Sequence, residues 1–97
     1  MRIQLKKFGT TLTSRQMGKE ALAAFQPSLK ELSEGENLEL DFEGVNTFSP
    51  SWGDEFLTPL MERFGTKMIL LHTQNPSVKE TLAFLESIGN KHFLIVS

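Results

Sequence analysis

The chain has 97 residues, enough for one domain with one core but too few to spare for a deep cleft. Its net charge of −2 leaves no basic excess to neutralise phosphates, so a nucleic-acid binder is not expected, and the Arg2, Lys6 and Lys7 cluster reads as a solvated strand end. The absence of cysteine removes disulfides, thiolate nucleophiles and cysteine metal sites.

No apolar run approaches the roughly 20 residues that cross a bilayer, and residues 1–7 lack the apolar core of a signal peptide. A cytoplasmic protein is the expectation, with no membrane contact. Low-complexity segments and internal repeats are absent.

Ile3 and Leu5 alternate with Gln4 and Lys6, which predicts a strand over residues 2–8. Gly9, Thr10 and Thr11 predict a turn. Thr13 and Gln16 have the spacing of a capping box, so a helix is expected to start with Thr13 as its N-cap. Its inward stripe would be Met17, Ala21, Ala24 and Phe25, continued by Leu22, Leu29 and Leu32. Pro27 predicts a kink or break near Gln26.

Residues 38–42 alternate, with Leu38, Leu40 and Phe42 expected inside and Glu39 and Asp41 on the other face. Residues 43–46 make a turn or bend, and Phe48 is expected to be buried. A second helix opens at Ser49-Pro50-Ser51-Trp52, because proline suits a first helical turn and either serine can cap it. Its stripe is Trp52, Phe56, Leu60, Met61 and Phe64; Pro59 predicts another kink and Gly65 a stop.

The run Met68-Ile69-Leu70-Leu71 predicts a strand buried on both faces. Asn75 and Pro76 predict a third helix with Val78, Leu82, Leu85 and Ile88 inward, ending at Gly89. Residues 93–96 predict a last strand. The alternation argues for an α/β domain spanning 1–97, a small mostly parallel sheet of four to five strands with three helices. The direction of the first strand and the oligomeric state are left open.

Three segments resemble a known family. They are Phe8-Gly9-x-x-Leu12-x-Ser14-Arg15-x-x-Gly18, Leu40-Asp41-Phe42-Glu43-Gly44-Val45, and Phe48-Ser49-Pro50-Ser51-Trp52-Gly53-Asp54-Glu55-Phe56. They look like the prokaryotic STAS-like family, itself similar to the STAS domain of sulfate transporters and anti-sigma-factor antagonists. The antagonists bind a serine kinase of the histidine-kinase-like ATPase type, which phosphorylates a serine at the start of a helix. The family pattern there is Asp-Ser-Ser/Thr-Gly-Leu. Ser51 falls on the phosphorylated serine, while Ser49, Pro50 and Trp52 replace the aspartate, the first serine and the glycine. The resemblance implies a regulatory protein-interaction module with no catalytic activity, no cofactor and a partner of that ATPase type.

The candidate sites each have two readings. Ser51 is a phosphorylation site or, like Ser49, a cap. Asp41, Asp54 and Glu55 are a carboxylate cluster for a divalent cation or acid–base work, or solvated side chains. His72 joins them in the alternative function, a small-ligand-binding or hydrolytic enzyme domain; a Ser51–His72–Asp41 triad lacks the Gly-x-Ser-x-Gly elbow. Arg15, at a helix start where a cation is disfavoured, pairs with Asp41 or Glu43 or touches another protein. Trp52 is an interface anchor or a core residue. The partner-binding set is therefore Arg15, Asp41, Ser49, Ser51, Trp52, Asp54 and Glu55. A third reading is a structural or oligomerising domain.

Overall fold

Four parallel strands form the main sheet, and each new strand is added on the same side as the chain proceeds. They are β1 (Arg2–Gln4), β3 (Leu38–Asp41), β5 (Met68–Leu71) and β6 (Leu94–Val96), joined by α1 (Arg15–Leu29), α2 (Pro50–Phe64) and α3 (Pro76–Gly89). A second ribbon pairs β2 (Thr11–Leu12) with β4 (Thr47–Phe48), also in parallel. The structure, a computed structural model, describes residues 1–89 and 92–96.

Right-handed crossovers that always step the same way leave their helices on one face. The burial pattern agrees. Ile3, Leu38, Leu40, Met68 and Leu70 are buried beneath the helices, whereas Arg2, Gln4, Glu39, Asp41, Ile69 and Leu71 on the other face are exposed or half-buried. The expectation of double-sided burial for residues 68–71 is thus corrected: nothing among the described residues covers the second face.

The first strand is shorter than its alternation suggests. After Gln4 the chain tightens into a 3-10 turn, Leu5–Phe8, which buries Leu5 and carries Phe8 over the core. Phe8 meets Phe25 edge-on at 6.2 Å and Phe56 at 5.3 Å between ring centres. The expected turn at Thr11 is in fact β2, whose partner Thr47–Phe48 lies 36 residues on in matched register.

Ser14, not Thr13, caps α1; its side chain accepts from the Met17 amide at 3.1 Å. The buried face is Gly18, Ala21, Phe25 and Leu29. Met17 and Ala24 point outward, Met17 being 54% exposed. Both internal prolines are accommodated: α1 runs two residues past Pro27 and α2 five past Pro59. Gly65 ends α2 with φ +56, a conformation that L side chains rarely adopt. In α3, Val78, Leu82 and Leu85 are buried as expected, but Ile88 is exposed.

Candidate functional site

All three helices begin at the carboxyl ends of the strands, the place where open α/β sheets gather their functional groups. There the α1 and α2 starts are tied together by Ser49. Its Oγ accepts from the Trp52 amide at 3.4 Å, as an N-cap does, and donates to the Thr13 carbonyl at 2.7 Å. Asn75 does the same for α3. Its Oδ1 accepts from the Ser77 and Val78 amides, and its Nδ2 donates to the carbonyls of Val45 and Asn46.

Sequence reasoning missed how α3 holds the turn before α2. Ser77 Oγ accepts from the Phe48 amide at 3.0 Å, and buried Thr81 donates to the Phe48 carbonyl at 2.5 Å. A threonine on an otherwise apolar helix face was the available signal.

Because Ser49 takes the capping role, Ser51 is released from it. Ser51 lies in the first turn of α2, is half-buried, and its hydroxyl makes no hydrogen bond among the described residues. Asp54 and Glu55 follow at three and four positions, so they share its helix flank. Arg15, the first residue of α1, reaches across to both: Nη1 donates to Glu55 Oε1 at 2.6 Å and to Asp54 Oδ2 at 3.3 Å. Asp54 Oδ1 also accepts from Thr58 Oγ1 at 3.0 Å. The hydrogen bond to Glu55, then that to Asp54, raises the guanidinium pKa above its ordinary value. Arg15 therefore pairs with neither Asp41 nor Glu43, which corrects that expectation.

The three-carboxylate cluster is not assembled. Asp41 ends β3 and accepts from the Glu43 amide at 3.0 Å, lining a concavity with His72 that neither Asp54 nor Glu55 lines. No group of three potential metal ligands exists among the described residues. The ligand-binding alternative thus loses two of its four groups, Asp54 and Glu55, to the Arg15 pair. Trp52 is 1% exposed and stacks on Phe56 with ring centres 4.8 Å apart, which removes its ring from any contact surface.

The capping geometry predicts unequal serines. Ser49→Ala should lower the free energy of unfolding by about 1–2 kcal/mol, through loss of the cap and of the tie to Thr13. Ser51→Ala should stay within about 0.5 kcal/mol of the parent. Urea unfolding of the two variants checks both.

Neither the curated proteins nor the solved structures give a significant match to the chain. No helix among the described residues is long and apolar enough to cross a membrane. A family model described as a STAS-like domain of unknown function (DUF4325) matches residues 23–78, from within α1 through the Ser51 helix to the first turn of α3. With more than half of its length matched, and with helices laid on a parallel sheet, this chain belongs to the STAS-like family.

Proposed function

We propose that the domain is a regulatory module that docks another protein on the ridge formed by the α1 and α2 starts, and that phosphorylation of Ser51 switches the docking. The partner in this reading is a histidine-kinase-like ATPase, and its ATP places the encounter in the cytoplasm. The observation that carries the reading is the free Ser51 hydroxyl beside an exposed ion-paired cluster, with the structural task of capping already filled by Ser49.

A phosphate on Ser51 adds about −1.5 to −2 charges. It would stand near the α2 N-terminus, where orphan amides favour an anion. It would also stand beside Asp54 and Glu55, which repel it, and within the field of Arg15, for which it competes. The ridge would change from one arginine shared by two carboxylates to a strongly anionic surface. A partner fitted to one state is rejected by the other through unpaired charge. Arg15, Ser51, Asp54 and Glu55 form the docking set; Ser49 and Trp52 support it from beneath, and Asp41 lies outside it.

A pull-down from native extract, read by mass spectrometry, tests this with the parent chain, Ser51→Ala and Ser51→Asp. The expected result is an ATPase recovered by the parent and by Ser51→Ala but lost with Ser51→Asp. Recovery by all three would discard the switch, and recovery of no ATPase by any would discard the partner class.

A further inference from the structure

The sheet ends on one side in an apolar strand. β6 is the outer strand of the sheet, and Leu94, Ile95 and Val96 are 47, 47 and 37% exposed. Edge strands are commonly guarded by a charge, a proline or a bulge; these three residues include no charge and no proline. The register sets Leu94 beside Ile69 and Val96 beside Leu71 on the bare face, with Ile95 beside Leu70 on the helix face.

On the helix face, Ile95 lines an apolar trough with four α3 residues, the buried Leu82 and then Lys79, Ala83 and Glu86. The last three are spaced by four and three positions, so they form one stripe along α3. A cation stands near the helix start, a small residue in the middle and an anion near the end. The start of α3 lies toward the carboxyl end of β6, and Glu86 lies toward its beginning, where it accepts from the Phe93 amide at 2.7 Å.

We propose that this edge is the interface of a two-fold symmetric homodimer, in which β6 pairs antiparallel with β6 of a second copy about Ile95. Leu94 then faces Val96 of the second copy, an apolar cross-strand pair made twice. The sheet continues across the axis, and the outer amides and carbonyls of both edges are satisfied.

The charge order selects a second copy over a foreign strand. Two-fold rotation sets the start of one α3 against the end of the other, so Lys79 meets Glu86 of the second copy on both sides. Ala83 lies on the axis, where its small side chain permits close approach. The trough sets α3 beside Ile95 of the outer strand, so the two-fold brings the two α3 helices side by side across the axis. Each stripe is the complement of itself reversed, as an isologous contact requires. The Ser51 ridge is not involved, so this interface stands or falls independently of the proposed switch.

Sedimentation equilibrium over a dilution series of the full chain tests it. The expected mass rises to twice the 10.9 kDa of the chain. Ile95→Lys should hold the chain at its monomer mass with an unchanged far-ultraviolet circular dichroism spectrum. Lys79→Glu should raise the dimer dissociation constant by at least about tenfold, because two attractions become two repulsions. Adding Glu86→Lys to Lys79→Glu should recover the dimer. A parent chain monomeric at every concentration would overturn the proposal, as would a dimer indifferent to both single substitutions. A folded double variant that stays monomeric would overturn the antiparallel register.

Discussion

Trp52→Ala is expected to lower the free energy of unfolding by about 3–5 kcal/mol, the range for deleting a buried aromatic. The indole is 1% exposed and is surrounded by Phe8, Phe48 and Phe56, with ring centres 6.2, 5.8 and 4.8 Å away. Its removal leaves a cavity beneath the start of α2, between rings too large to collapse into it. Domains of this size hold about 5–15 kcal/mol in total, so the variant should be close to unfolding at room temperature. Trp52→Phe keeps a ring in the stack and should cost about 1–2 kcal/mol. Urea midpoints give both values. A Trp52→Ala variant of parental stability that has lost partner recovery would instead place the indole at an interface.

Gly18→Ala is expected to destabilise by about 1–3 kcal/mol, and the sign is the informative part. In an unobstructed helix the same change stabilises by about 1 kcal/mol. Here a Cβ on residue 18 would stand 2.8 Å from the Trp52 carbonyl oxygen and 3.1 Å from its Cα. These are backbone atoms of α2 and cannot rotate away, so α1 must retreat. Retreat would also stretch the Arg15–Glu55 hydrogen bond, which spans the same two helices. Gly53→Ala is the control. Its Cβ would approach Leu85 Cδ1 at 3.0 Å and Phe48 Cζ at 3.1 Å, side-chain atoms with some freedom to yield, so its cost should be smaller. Thermal melts of the two variants rank them.

Alternation and punctuation made the α/β order legible. Leu38, Leu40 and Phe42 are buried where period two puts them, and Asn75 and Gly65 bound their helices where cap chemistry predicts. What failed was long-range or one-sided. The β2–β4 ribbon has two residues per strand, below any period that a sequence can display, and its partners are 36 residues apart in the chain with α1 between them. Ile69 and Leu71 belong to an unbroken apolar run that suggests cover on both faces, but the direction of winding decides that. Thr13 fits a capping box, yet its carbonyl is committed to Ser49 and the cap falls to Ser14. Met17 and Ile88 satisfy helical spacing near the ends of their helices, where α1 and α3 outrun the core.

The candidate site was half legible. Ser51, Asp54 and Glu55 share a flank by spacing alone, and Arg15 was marked by its unfavourable place at a helix start. Choosing between the two serines needed the Thr13 carbonyl, 36 residues upstream of Ser49, which no local pattern reports.

The chain has a single tryptophan and no tyrosine. Fluorescence excited beyond the phenylalanine band therefore originates at one point, residue 52, where α1 presses on α2 through Gly18 and where Ser49 delivers its cap. The protein carries its own optical probe at the root of the proposed docking ridge. A ligand that pulls Arg15 from Glu55, or a charge placed on Ser51, acts within one helical turn of that emitter.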